Sequence, residues 1–271
     1  MESCIDDIRN FLQNNRLFNN REKMEFLLAG APTLLQKLHM KKIRVDSVEI
    51  KSLEYVKNMG VMFDKGMTMD KQINYMCKKV YYNLRNISKI KRNLSMDDAK
   101  TVVNALVTPH QDYGNGLLYG ISKKLENKLQ VAQNSAVRLI HKINKKESIS
   151  PYRKDLHWLP ITSWIKYKIA TMVWKTLNNQ APEYLKTLAK IRCTRGNLRN
   201  NDKVLLDIPD ARNYNQFFDR SFTRSAPKIW SSLPSEIRCC RSLVSFKKGL
   251  KTFLFTEAYS RFLKSAGEQV T

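Results

Sequence analysis

Hydrophobic and polar positions follow two different periods along this chain, and the change of period divides it. Up to about residue 66 the pattern is short and mixed. Ile5, Ile8 and Leu12 recur at three- and four-residue steps, which predicts a helix over residues 2–15 with Ser3 as its N-cap. Asn14, Asn15, Asn19 and Asn20 mark a turn after it. Residues 24–29 read as a strand, stopped by Gly30-Ala31-Pro32. Two more short strands are expected at residues 43–45 and 48–50, and a last one at 55–63, carrying Gly60. From Thr68 onward the period is helical. Over residues 71–93, Ile73, Met76, Cys77, Val80, Leu84 and Ile87 fall on one face. Lys71, Lys78, Arg85, Lys89 and Arg92 fall nearly opposite them, at about 100° per residue.

The helical pattern continues. Ser95-Met96-Asp97-Asp98 resembles a capping box and opens a helix with Val102, Val103 and Leu106 inside, ending near Pro109. Tyr113-Gly114-Asn115-Gly116 predicts a turn or helix break. Ser122 is placed to cap a longer helix whose apolar stripe is Leu125, Leu129, Ala132, Ala136, Leu139 and Ile140. Gln133-Asn134 on that helix fits a buried polar pair and a solvated one equally. The stretch Leu156-His157-Trp158-Leu159-Pro160 then starts a helix at about Pro160, with Ile161, Trp164, Ile165, Ile169, Met172, Val173 and Leu177 on one face. Trp158, Trp164 and Trp174 lie here, three of the four tryptophans. Large aromatics bury much area, so separate pieces of the chain are expected to meet here, with Trp158 and Trp164 buried. His157 reads as a satisfied core histidine rather than a ligand or base.

After residue 180 the pattern breaks. Lys190, Arg192, Arg195 and Arg199 form a basic loop, and residues 204–208 and 214–218 are candidates for a hairpin. Ser242 caps a closing helix with Leu243, Phe246, Leu250, Phe253 and Leu254 inside and Lys247, Lys248 and Lys251 outside. The expected fold is mainly α with a small α/β N-terminal piece, in segments 1–66, 67–189 and 190–271.

Charge sharpens this picture. Among 271 residues, 48 Lys and Arg face 24 Asp and Glu, a formal +24 with a pI near 9.9. That excess favours a polyanion, nucleic acid ahead of an acidic membrane surface. On the 71–93 helix no acid follows Asp70 and no i,i+4 ion pair is available. A solvated face and a nucleic-acid face both fit that helix alone; the overall charge favours the second. The stripe spans about 30 Å, a length suited to a duplex groove. An odd number of cysteines without CxxC spacing suggests reduced thiols and an intracellular protein. No signal peptide and no apolar run of membrane-spanning length is read, so no membrane partner is expected. Asp6-Asp7 point about 100° apart on a helix and cannot chelate one ion together. No phosphate loop, HExxH or zinc pattern occurs, the four histidines are scattered, and no metal or cofactor site is expected.

Several landmarks also match a family pattern in order. Asn15-Arg16-Leu17 with Asn20-Arg21-Glu22-Lys23-Met24-Glu25 is similar to N-x-L-x-L-N-x-x-K-T-E. Val56-Lys57-Asn58-Met59-Gly60-Val61 with Asp64 is similar to V-K-N-L-G-V-x-x-D. Gln130, Gln133-Asn134, Ala136 and Arg138 follow, then Leu156 to Pro160, Ile165-Lys166-Tyr167-Lys168-Ile169, Ala181-Pro182 with Tyr184-Leu185, Ala226-Pro227, Trp230, Leu233-Pro234, Phe246-Lys247 and Leu250-Lys251-Thr252 with Phe255. Over nearly its whole length the chain resembles the C-terminal part of the reverse transcriptase of LINE-class, jockey-like non-LTR retrotransposons. The resemblance implies the end of a polymerase palm, a primer-grip hairpin at Asn58, Met59, Gly60 and Val61, a helical thumb carrying the Lys71–Arg92 stripe, and a mixed C-terminal module. The family's paired metal-binding aspartates, in an aromatic-Ala-Asp-Asp hairpin, are expected upstream of residue 2, so magnesium would belong only to an intact polymerase. Lys23 matches the palm lysine that protonates the leaving pyrophosphate, a vestigial general acid here. Asn19 and Met24 depart from the family's Leu and Thr. The implied function is a nucleic-acid-binding fragment of an RNA-directed DNA polymerase, inactive alone, with RNA–DNA hybrid or duplex DNA and upstream polymerase segments as partners. The alternative is a standalone helical interaction protein derived from such a sequence.

Overall fold

The structure, a computed structural model, describes residues 2–18, 20–38, 42–45, 48–192, 205–209 and 219–267. The chain is mainly helical and divides into two compact units, Met1–Asn74 and Tyr75–Thr271.

In the first unit, α1 (Glu2–Asn14) packs against β1 (Lys42–Val45). Ser3 lies inside α1 rather than capping it. Ile5 and Leu12 are half-buried, while Ile8 stays 52% exposed, so the apolar face is only partly covered. After α2 (Pro32–Lys37), β1 pairs antiparallel with β2 (Val48–Lys51), with Ile43 opposite Ile50. The strand expected at 24–29 is absent. That segment makes one bridge, Phe26 to Ser52, and Leu28 N–H donates to Ser52 Oγ at 3.2 Å; Phe26 alone is driven inside.

The single strand expected at 55–63 is instead a hairpin of β3 (Tyr55–Asn58) and β4 (Val61–Asp64). Its turn residues Met59 and Gly60 both have positive φ, 48° and 82°, the type I′ pattern that matches strand twist. Only Gly60 signals that turn in the sequence; methionine does not. Asp64 then accepts from the N–H groups of Thr68 and Met69 at 2.9 and 2.8 Å, and Gln72 Oε1 accepts Met62 N–H at 2.9 Å.

The long helix α3 (Asp70–Ile90) starts there, and Ile73, Met76, Cys77, Val80, Leu84 and Ile87 are all buried as the periodicity requires. In the second unit, α4 (Met96–Leu106) opens with a complete capping box between Ser95 and Asp98. Val103 is buried inside it, but Leu106 is exposed because the chain turns at once into α5 (Thr108–Asp112) with Pro109 in its first turn. A 3-10 turn (Asn115–Leu118), α6 (Lys123–His141), α7 (Ser150–Asp155), α8 (Ile161–Leu177) and α9 (Glu183–Leu188) follow. Then come α10 (Phe222–Ser231), α11 (Ser235–Arg238) and α12 (Leu243–Gly267). Every residue of the stripe expected on α6 is buried. Ser245 N–H donates to Ser242 Oγ at 3.1 Å, the expected cap of α12.

The hub is α8, which packs against α6, α9, α10, α12 and the 3-10 turn. It buries Trp174, which is 2% exposed, stacks on Phe246 at 5.8 Å and donates Nε1–H to the Cys240 carbonyl at 3.0 Å. Trp230 completes this cluster, 5.8 Å from Phe246. Trp158 and Trp164, expected inside, are only half-buried. With partners on several sides of α8, buried positions exceed the one stripe read from periodicity: Ser163, Thr171 and Thr176 are buried too.

A polar cluster surrounds the link between α7 and α8. Gln133, 1% exposed, donates to the Leu159 carbonyl at 3.0 Å and accepts from Gln130 Nε2 at 2.8 Å. Gln130 Oε1 accepts Ile161 N–H at 3.0 Å. Asn134 Oδ1 accepts from Gln130 and from Arg153 Nη1, at 2.9 and 3.2 Å. Arg153 Nε donates to Tyr259 Oη at 2.9 Å, and that hydroxyl donates to the Trp158 carbonyl at 2.7 Å. Of Gln133-Asn134, Gln133 is therefore buried and Asn134 half-buried, both hydrogen-bonded. His157 is exposed, contrary to expectation. It occupies the left-handed position (φ 54°) of a Schellman cap, with Trp158 N–H bonded to Arg153 O at 3.1 Å. In the basic segment, Ile191 bridges Leu206; Arg195, Arg199, Val204 and residues 214–218 lie outside the described residues.

Two outcomes follow from this packing. Trp174→Ala should lower stability by about 3–5 kcal/mol, and Trp164→Ala by clearly less, in denaturant melts of the whole chain. Equal losses would mean that α8 is not organised around Trp174. Burial pushes the Tyr259 phenol above its ordinary range, against the pull of Arg153. A raised folded value means that stability is present in full below about pH 10 and is lost as pH rises beyond it. Tyr259→Phe should therefore be less stable at neutral pH yet decline more shallowly into alkali, measured by melts up to about pH 11.

Candidate nucleic-acid interface

The outer face of α3 is built by default. Six apolar residues hold the inner face, so the polar remainder must face water. Two further bonds fix the helix: Asn83 Nδ2 donates to the Leu106 carbonyl at 2.6 Å, and Cys77 Sγ lies 4.0 Å from the Lys128 carbonyl. Burial pushes the Cys77 thiol up, against the opposing effect of Lys128, which leaves it a protonated packing residue near neutral pH.

All five expected cations are exposed. Lys71 belongs to the first unit, where its ammonium sits 5.2 Å over the Tyr55 ring. Lys78, Arg85 and Lys89 lie in the second unit and fall within about 40° of one another around the helix axis. Arg92 follows in the 3-10 turn Lys91–Asn93. None of the five reaches a carboxylate among the described residues. Some other lysines do: Lys42 with Glu49, Lys65 with Glu54, Lys123 with Glu126 and Lys168 with Asp112, at 2.6 to 2.9 Å. Lys124, Lys146, Lys154 and Lys248 are likewise exposed with no carboxylate within reach among the described residues, so the stripe is set apart by its alignment on one helical face and not by lack of ion pairs. Tyr82, 63% exposed, lies on the same side between Lys78 and Arg85. Periodicity alone passed it over because it belongs to neither the apolar nor the cationic set.

In the first unit, Lys23 and Asn58 line one open cavity of about 520 Å³, together with Glu25, Lys57, Phe63 and Met67. Met59 stands 82% exposed at the hairpin tip beside Gly60, and Val61 is buried beneath it. Asp6 lies 3.5 Å from Arg9 on its own helix. Among the described residues no group of three His, Cys, Asp or Glu is placed to hold a metal ion, and no helix is long and apolar enough to cross a membrane.

Arg138, one of the residues behind the family resemblance, spends its guanidinium on the carbonyls of Asn144, Lys145 and Glu147 at 3.3 to 3.4 Å. It holds a loop. Arg153 and Tyr259 carried no signal in the sequence, since each acts through a partner far along the chain. No known protein family, curated protein or solved structure matches this chain.

Proposed function

We propose that this protein binds nucleic acid through the outer face of α3, as part of an RNA-directed DNA polymerase of the LINE-class, jockey-like kind, and that it carries no polymerase activity of its own. The observation that supports this most is the alignment of the exposed cations Lys78, Arg85 and Lys89 on one face of α3, with Arg92 in the turn after it and no carboxylate in reach of them among the described residues, in a chain of charge +24. Phosphates would meet these cations without competition from internal carboxylates. Such contacts carry affinity and no base information, so RNA–DNA hybrid and duplex DNA would both serve. On this reading the first unit takes the place of the palm's end, with β3–β4 as primer grip and Lys23 as a remnant of its chemistry. The helical unit then takes the place of the thumb and C-terminal module. A second reading, a helical interaction protein derived from such a sequence, draws on the helical unit's own core of Trp174, Trp230 and Phe246. Loss of nucleic-acid binding on neutralising α3 separates the two.

Affinity for duplex, hybrid and single-stranded probes should fall steeply with salt. Arg85→Ala and Lys89→Ala should each flatten the log–log slope by about 0.9 for every phosphate left without its cation, and Lys248→Ala, on α12, by less. Unchanged slopes in folded variants would remove α3 from the interface. Primer extension on a poly-A template with magnesium or manganese should give nothing beyond a heat-killed control. The sequence holds no aromatic-Ala-Asp-Asp motif to carry the two ions such catalysis uses. Incorporation above that control overturns this part of the reading.

A further inference from the structure

Within the helical unit, α5, α6, the link at 156–160, α8 and α12 enclose a cavity of about 230 Å³. Four aromatic rings line it: Trp158, Trp164, Tyr167 and the His157 imidazole. A cavity of about 150 Å³ holds one benzene ring, so this one has room for a larger planar group. Two glutamines also line it, in opposite states. Gln133 is used up, bonded to Gln130 and to the Leu159 carbonyl. Gln111 is 3% exposed, and its Nε2, shielded from solvent, meets no acceptor. A buried amide donor without a partner is destabilising, and since Gln111 lines the cavity, a ligand that reached this amide would complete it. Burial, aided by the Asp112 carboxylate, pushes the Tyr167 phenol up, so it remains a neutral ring with an O–H to donate. Asp112 itself is neutralised by Lys168 at 2.7 Å. Lys251 is exposed and supplies positive charge at the rim.

We propose that this cavity takes one unpaired nucleobase of a single strand, held against Trp158, Trp164 and Tyr167, with its polar edge on the Gln111 amide and its phosphate near Lys251. The proposal rests on the nucleic-acid reading above but on none of the α3 residues. An apolar side chain from a protein partner would leave the Gln111 donor unmet and would gain nothing from Lys251. A base edge offers acceptors, and every base has a face for an aromatic ring.

The test compares two fluorescently labelled oligonucleotides of equal length and phosphate number, one with bases and one abasic throughout. Binding is followed by anisotropy and by tryptophan quenching of the whole chain. Trp174 and Trp230 are shielded inside, so quenching reports Trp158 and Trp164. The base-bearing strand should bind about tenfold or more tightly and quench. Trp164→Ala should remove most of that preference. Gln111→Leu, which replaces an unmet donor by an apolar group and so should keep the fold, should reduce it severalfold. Arg85→Ala should weaken both strands alike. Equal binding of the two strands by the native chain overturns the cavity assignment and leaves the α3 reading standing. Binding of neither strand overturns both. A preference that survives both Trp164→Ala and Gln111→Leu in folded protein, or quenching by a phenylalanine-rich peptide and not by the base-bearing strand, also overturns it.

Discussion

The helical unit depends on one buried polar cluster. The link between α7 and α8 carries three backbone groups in buried or part-buried surroundings: the Trp158 and Leu159 carbonyls and the Ile161 N–H. Left unpaired, each would cost stability comparable to a lost hydrogen bond. Tyr259, Gln133 and Gln130 satisfy them in turn. These partners come from α12 and α6, so satisfying the link fixes both helices against α8. Arg153 is the keystone. It is buried without a carboxylate among the described residues and is solvated by Asn134 Oδ1, by Tyr259 Oη and by the face of the Tyr259 ring at 5.6 Å. A buried charge held by neutral acceptors tolerates little misalignment, since removing any one of them exposes the full desolvation cost. The hydroxyl of Tyr259 accepts from Arg153 and donates to Trp158, so both its roles are spoken for.

This cluster explains where the tryptophans sit. The centre of the unit near the link is taken by amides and a guanidinium, and large indoles cannot share that space. Trp174, one and a half turns beyond the middle of α8, meets Phe246 and Trp230 and goes inside. Trp158 and Trp164, next to the cluster, are left half-buried along a cavity. The same arrangement that makes them poor contributors to the core makes them available to a ligand. Structure and candidate site are two consequences of one packing choice.

How much of this was legible depends on distance along the chain. The buried faces of α3, α6 and α12 were plain, because a 3.6-residue period is a local signal that survives into any tertiary context. The Ser95 capping box was equally local. Helix ends were legible only in part: α1 and α8 stop at asparagine-rich turns, while the ends at Lys142 and His157 carry no such signal. Arg16, Lys142, His157 and Asn179 all adopt positive φ at Schellman-type ends where glycine is the usual signal. His157 was read as a core residue because its neighbours are apolar, when its position is set by backbone geometry. At Met59-Gly60 the strand pattern alone gave one strand, while the resemblance placed a hairpin at Asn58–Val61, where β3 and β4 do turn. Gln133-Asn134 stayed open, since what separates a satisfied amide from a solvated one here is Leu159 and Arg153, 26 and 19 residues away. The cationic stripe was readable as a pattern, but only the structure shows that its members lack carboxylate partners.

That lack of partners carries its own physical argument. Arg85 and Lys89 are like charges one turn apart, which destabilises a helix by about 0.2–0.5 kcal/mol. Lys78 lies about 10 Å from Arg85 along the axis, beyond the roughly 8 Å screening length at physiological salt, and adds little repulsion. The penalty is therefore small and confined to the C-terminal half of α3, where the helix dipole favours positive charge. Six buried apolar residues on the other face hold the helix straight regardless. Folding alone would be served at least as well by placing an acid four residues before Arg85 or Lys89, where Tyr81 and Arg85 now stand. What sets this helix apart is order: cations with no acid between them, and Tyr82 among them, share one face, which is the arrangement that the proposed phosphate-backbone partner would use.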